Sequence, residues 1–270
     1  MKAYSLHIGL NSIDPNRYGV DGKLAACEAD ADAYEEIMKS LSYDFVSKLL
    51  TKEATRKAVL SKLAIFSEKA VDGDLVVITY AGHGSQIEDF SGDENDELDE
   101  TWVLYDGQLI DDELFENLCA FKKGVKIVVI SDSCHSGTIV RALPLVFNKD
   151  RKDSPQEVQR ARFLDTMSRG GEFESNREFY EKLKTQKPDM SEAVASVILM
   201  TGCQDNQFSM EGNNHGKFTE TFLKVWGDGS FSGSYEEFYQ SIQANMPLTQ
   251  IPNFISHNQD KVDWKTVLAK

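Results

Sequence analysis

The sequence has no uninterrupted apolar run near the roughly 18 residues that a membrane-spanning helix needs. Its start, Met1-Lys2-Ala3-Tyr4, runs directly into a strand-like stretch, so neither a span nor a signal peptide is expected. Cysteine is scarce: Cys27, Cys119, Cys134 and Cys203 are the only four, without paired spacing and in apolar or small-residue contexts. They read as reduced thiols of a cytoplasmic protein, with room for one reactive thiol. Positive charge is also short. Against 44 Asp and Glu stand 29 Lys and Arg, a net charge of −15. That balance disfavours nucleic acid and favours basic partners. No internal repeat is visible. What remains, 41% hydrophobic and 27% charged over 270 residues, is ordinary for one folded α/β domain with a substantial core.

Two apolar runs organise the chain. Ile127-Val128-Val129-Ile130 passes into Ser131-Asp132-Ser133-Cys134-His135-Ser136-Gly137, and Leu75-Val76-Val77-Ile78 leads to Tyr80-Ala81-Gly82-His83-Gly84. β-branched runs of this kind predict strands buried on both faces of a parallel sheet. The residues just past their carboxyl ends are where such sheets place ligand chemistry. A free thiol is mostly protonated at neutral pH, so a nucleophilic Cys134 needs a base, and His83 ends the other strand. His135 is adjacent in sequence, but neighbouring side chains point apart, which favours His83. The same reading places strands at Tyr4–Asn11, Phe45–Leu50, Ala193–Cys203 and, at an edge marked by Pro252, Ile251–Ser256. Helices are expected at Leu24–Leu41, Ala54–Ala70 and Ser234–Met246. The alternation implies right-handed crossovers and a mostly parallel sheet. His7 reads as a plain strand residue and His215, in a Gly/Asn loop, as a surface one.

Tyr80-Ala81-Gly82-His83-Gly84 together with Asp132-Ser133-Cys134-His135-Ser136-Gly137 resembles the metacaspases and bacterial caspase-like peptidases, and the cysteine follows the histidine by 51 residues. The animal-caspase signature Gln-Ala-Cys-x-Gly is absent. The resemblance covers Leu6 to about Leu223. It implies a three-layer α/β/α sandwich around a mostly parallel sheet and a single domain over 1–270. Within it, 1–140 would be a large-subunit-like part, 141–190 a basic activation linker, and 191–270 a small-subunit-like part. It further implies an endopeptidase with a Cys134/His83 dyad and an oxyanion hole from the N–H groups of Cys134 and Gly84.

Leu24-Ala25-Ala26-Cys27-Glu28-Ala29-Asp30-Ala31 keeps the family's leucine, cysteine, aspartate and alanine, without its glycine and asparagine. Asp30 is then either a helix first-turn acid or, with Asp132, half of an acidic pocket for Arg in preference to Lys. Asp132 alone also reads as a turn-forming strand end. The family's pocket serine is Ala81 here.

Between His83 and Lys122 there is no Lys or Arg and thirteen acids. Such a stretch is a solvated face or a hard-cation site. By resemblance Asp99, Asp111 and Asp112 correspond to calcium ligands, while Arg141 stands where a fourth carboxylate belongs. No cofactor is required, and Ca²⁺ is the only candidate. From Arg141 to Pro188 eleven basic residues face eight acids. Helices are expected at Gln156–Met167 and Asn176–Lys184. A protease specific for basic residues could cut this stretch at Arg151, Lys152, Arg160, Arg162, Arg169 or Arg177. The expected partners are proteins or peptides with exposed Arg or Lys, and an activating protein. The sequence also leaves open a catalytically silent binding protein of the same fold, or a cysteine hydrolase of small molecules.

Overall fold

The structure is a computed structural model and describes residues 1–88, 98–133, 161–167, 172–183, 195–203, 209–212, 214–257 and 266–269. In chain order the elements are β1 (Ala3–Gly9), α1 (Pro15–Tyr18), α2 (Cys27–Ser40), β2 (Phe45–Leu50), α3 (Arg56–Lys69) and β3 (Leu75–Ala81). There follow β4 (Gly84–Glu88), β5 (Leu98–Leu104), β6 (Gly107–Ile110), α4 (Asp111–Cys119) and β7 (Lys126–Asp132). The last are α5 (Glu172–Ser175), α6 (Arg177–Lys182), β8 (Ser196–Thr201), α7 (Lys217–Trp226), α8 (Tyr235–Asn245) and β9 (Asn253–His257).

Six strands form one sheet in the order β2-β1-β3-β7-β8-β9, parallel except for the antiparallel edge strand β9. Period-2 alternation splits its apolar residues between two layers of helix. Tyr4, Leu6, Ile8, Ile78 and Val129 pack toward Val59, Leu63 and Phe66 of α3 and Leu118 of α4. Val77, Val128, Ile130 and Met200 pack toward Met38 of α2, Phe222 of α7 and Phe238 of α8. Burial on both faces explains why these strands read as unbroken apolar runs. The strand order reverses between β1 and β3, which opens a crevice at their carboxyl ends.

Three further strands form a small antiparallel sheet, β4-β5-β6, that the sequence reading did not anticipate. It braces the crevice. Trp102 of β5 stacks on Tyr80 at 4.5 Å between ring centroids, and its indole N–H donates to Ser131 Oγ at 3.1 Å. A second correction concerns the expected helix Gln156–Met167. Residues 161–163 are extended, with Ala161 bridged to Met210 and Phe163 to Gly84. Residues 156–160 lie outside the described part. Long-range backbone pairing overrides the local helical spacing there. Asn176–Lys184, by contrast, is helical over most of its length, as α6.

Candidate active site

The crevice gathers the carboxyl ends of β1, β3, β7 and β8 with the first turn of α2. His83 lies just past β3, and its backbone is tied on both sides. Its carbonyl accepts the Val103 N–H at 3.0 Å and lies 2.6 Å from the Tyr80 hydroxyl. The ring is buried, and Nε2 lies 2.9 Å from the Gly22 carbonyl. A carbonyl only accepts, so Nε2 carries the proton and Nδ1 is the basic nitrogen. Nδ1 is buried and has no hydrogen-bond partner among the described residues. Burial pushes the imidazole down to about 4, so the ring is neutral at physiological pH. The group that orients the histidine is thus a backbone carbonyl. Gly22 supplies it from a left-handed conformation, φ +51°, where a Cβ would run into Ile13.

Asp132 ends β7 directly beside Ala81 in the parallel register. Cys134 is two residues further along, as His83 is two residues past Ala81, but position 134 lies outside the described residues. So do His135, Arg141, Arg151, Lys152, Arg160 and Arg169.

A fully buried arginine fills the space between Asp30 and Asp132, and it comes from the basic linker. Arg162 Nη2 donates to Asp30 Oδ2 at 2.6 Å. Its Nη1 lies 3.2 Å from Asp132 Oδ2 and donates to the Asp132 carbonyl at 3.0 Å. Glu211 Oε1 stands 4.0 Å from Nη2. Each carboxylate is also held by other donors. Asp132 accepts from the hydroxyl of Ser209, and from Thr219 N–H at 3.0 Å and Thr219 Oγ1 at 2.8 Å. Asp30 accepts from Gly216 N–H at 3.1 Å and His215 Nδ1 at 2.9 Å. Glu211 accepts from the N–H groups of Ala25 and Ala26 at 2.9 and 3.0 Å, and so caps α2, whose N-cap residue Ala26 has no side-chain cap. Gly216 has to be glycine, because a Cβ would collide with Asp132 Oδ2 and the guanidinium.

The backbone of Arg162 is bound as well. Its N–H donates to the Ser209 carbonyl and its carbonyl accepts from Gly84 N–H, both at 2.9 Å. Leu164 N–H then donates to the Gly84 carbonyl at 2.9 Å. Beyond it, Thr166 Oγ1 meets Ser85 Oγ at 2.9 Å, and Met167 packs against Ile87, Phe173 and Tyr180. Residues 161–167 therefore form a strap lying along the crevice.

The remaining candidates are dispersed. Arg177 sits on α6, half exposed, paired with Glu88 and with Glu181 at 3.1 Å. Asp99 lies on β5 opposite Ile87. Asp111 and Asp112 start α4 and border an apolar cavity of about 230 Å³ with Val129, Val197 and His257. Among the described residues no three His, Cys, Asp or Glu side chains gather as a metal site. A calcium ion takes six to eight oxygens, so these carboxylates alone do not make its cage. His215 is not the surface residue its loop suggested: its ring is one-quarter exposed and bonded to Asp30. Glu211 and the Gly22 carbonyl carried no sequence signal.

Comparison with known proteins gives the family and the fold. The family model described as the caspase domain matches residues 10–263. The chain belongs to the caspase-domain peptidase family. Metacaspase-1 of Saccharomyces cerevisiae is 28% identical over 203 residues, covering 65% of this chain and 47% of the yeast protein. Metacaspase-1 of Mycosarcoma maydis is 26% identical over 246 residues, covering 81% of this chain and 60% of that protein. The chain thus spans about half the length of the first of these curated relatives. Among solved structures, protein GSU0716 of Geobacter sulfurreducens is 41% identical with a TM-score of 0.83, covering 95% of this chain and 93% of that one. Caspase-1 of Spodoptera frugiperda, at 12% identity and a TM-score of 0.51 over 94% of this chain and 86% of that one, shares the fold. The expected three-layer caspase sandwich is the observed one. No helix among the described residues is long and apolar enough to cross a membrane.

Proposed function

We propose that this caspase-domain protein is a cysteine endopeptidase that cuts after arginine, and that its own linker is its first substrate. The observation that carries the reading is the binding of Arg162. Its side chain lies between Asp30 and Asp132, its N–H on Ser209 and its carbonyl on Gly84 N–H. That is the placement required of the residue before a scissile bond. Specificity comes from the carboxylates, and the Gly84 N–H meets the oxygen on which negative charge develops.

In this mechanism His83 Nδ1 takes the proton of the Cys134 thiol, and the thiolate attacks the carbonyl carbon. Gly84 N–H stabilises the tetrahedral oxyanion. Imidazolium His83 then protonates the departing amine, leaving a thioester that water hydrolyses. The Gly22 carbonyl holds the tautomer and shares the imidazolium charge. Arginine is preferred over lysine because its planar fork reaches both aspartates at once.

The same reading makes Arg162–Phe163 the linker bond set for cleavage. Until it is cut, residues 161–164 occupy the ground a substrate needs, so the uncut chain is held silent by its own strap. Protein and peptide substrates with exposed arginine are the expected partners afterward. The test is hydrolysis of fluorogenic peptides ending in Arg, Lys or Asp by purified protein, beside Cys134→Ala. Cleavage after Arg that disappears in the variant is expected. Cleavage after Asp alone, or no cleavage by protein whose linker has been opened with an added protease, would overturn the reading.

A further inference from the structure

Asp30 is approached from two sides. Arg162 Nη2 takes Oδ2 at 2.6 Å from within the pocket, and His215 Nδ1 takes Oδ1 at 2.9 Å from the solvent side. The Gly216 N–H touches both oxygens, at 3.1 and 3.2 Å, and fixes the carboxylate plane. One fully buried carboxylate therefore serves two groups able to carry positive charge, of which the guanidinium always does and the imidazole does so conditionally.

We propose that His215 is a proton-linked specificity residue of the arginine pocket. The imidazole binds its proton most tightly while the pocket is empty and less tightly once a substrate's guanidinium has arrived. The inference rests on the arginine-pocket reading above. Its mechanism is competition for the charge of Asp30. With no cation inside, an imidazolium is the best available partner for a buried carboxylate. Once the guanidinium is bound, two cations share one Asp30 and repel each other.

The surroundings have the charges this needs. Asp30 faces His215 from α2, Arg162 from the strap, and Glu220 from α7, where Lys217 engages Glu220 at 2.8 Å. Glu211 approaches from the loop bridged to Gly216. The bond to Asp30 raises the imidazole above its ordinary value, Glu220 adds to the rise, and the Arg162 guanidinium opposes it. With one-quarter of its side chain exposed, His215 can exchange its proton with water without opening the fold.

Linkage fixes the sign. If a bound guanidinium lowers the proton affinity of His215 by some factor, protonation lowers guanidinium affinity by the same factor. KM for arginine substrates must therefore fall as pH rises through the titration of His215. The dyad's own titration should appear in kcat.

The experiment uses linker-cleaved protein and an arginine-ended fluorogenic peptide, with kcat and KM measured separately from pH 5.5 to 8.5 in the wild type and His215→Gln. Glutamine can still donate to Asp30 but cannot charge. In the wild type KM should drop about fivefold or more across the range, and in His215→Gln its pH dependence should be flat. As a check that needs no variant, benzamidine binding to the wild type is followed by calorimetry in buffers of different ionisation enthalpy. Proton release should be largest above pH 6.5, between the proton affinities of the empty and the filled pocket, and small at pH 5.5, where the imidazole is charged in both states. Identical KM profiles in both proteins, or benzamidine binding without proton release anywhere from pH 6.5 to 8.5, would overturn this inference while leaving the arginine pocket standing. Absence of arginine cleavage would overturn both.

Discussion

Two buried polar clusters lie a few residues apart at the same end of the sheet, and they are built on opposite principles. Around Arg162 each carboxylate has partners: that of Asp132 holds four groups, and that of Asp30 an arginine, a histidine and a backbone N–H. Around His83 one ring nitrogen is held by Gly22 and the other is buried with no hydrogen-bond partner among the described residues. Burying a compensated charge is tolerable, whereas an unsatisfied buried nitrogen is costly and calls for an explanation, of which a catalytic role is one. In the proposed function the first cluster recognises the substrate and the second reacts with it. Changes in the first should alter which substrate binds and how stable the chain is. Changes in the second should remove chemistry with little loss of fold.

The largest effect belongs to the reacting cluster. His83→Gln should lower kcat on an arginine-ended peptide by about 10²- to 10⁴-fold, the usual contribution of a general base, while the unfolding midpoint stays close to wild type. A normal kcat would remove His83 from the chemistry. Next comes recognition. Asp132→Asn leaves a buried guanidinium short of a counter-charge, which costs about 2–5 kcal/mol. It should raise KM for arginine substrates by roughly thirtyfold or more. An unchanged KM would mean that the pocket binds something else.

Arg162 and Arg177 come from the same basic stretch and sharpen the contrast by stability. In a Cys134→Ala background, where the linker stays whole, Arg162→Gln strands buried carboxylates and should cost about 3–5 kcal/mol. Arg177→Gln removes half-exposed ion pairs and a guanidinium stacked over the Phe173 ring, and should cost about 1 kcal/mol. Equal losses in denaturant titration would contradict the pocket as described.

The smallest effect is an acid one. Burial holds His7, bonded to Thr79 at 3.0 Å, at about 3 and His83 at about 4, both below the roughly 6.5 of an unfolded chain. Because the folded values are depressed, this stability is fully present above pH 6.5 and is lost as pH falls toward those values. Between pH 7 and 4.5 the wild type should lose about 2 kcal/mol more than His7→Gln. Parallel losses would show that His7 already binds its proton in the fold.

Much of the central sheet was legible because burial on both faces writes itself as β-branched runs, as in Ile127–Ile130 and Leu75–Ile78. The motif pairs around His83 and Asp132 stood at the ends of those runs. The small sheet was not legible, since Gly84–Glu88 and Gly107–Ile110 are too short to show a period. The strap was misread as helix because Ala161–Leu164 is extended only through partners far away in sequence, Met210, Ser209 and Gly84. Nothing local marks Arg162 for burial in a stretch of eleven basic residues, as charged side chains are almost never buried unless paired. The Gly22 carbonyl is a backbone atom, so no residue type could announce it.

The central claim is that Arg162 is bound as a substrate. Its most direct test is intact-mass analysis and N-terminal sequencing of wild-type protein after incubation, beside Cys134→Ala and Arg162→Gln. The account predicts a fragment beginning at Phe163 in the wild type and in neither variant. A wild-type chain cut only elsewhere in the linker, with Arg162–Phe163 intact, would contradict it.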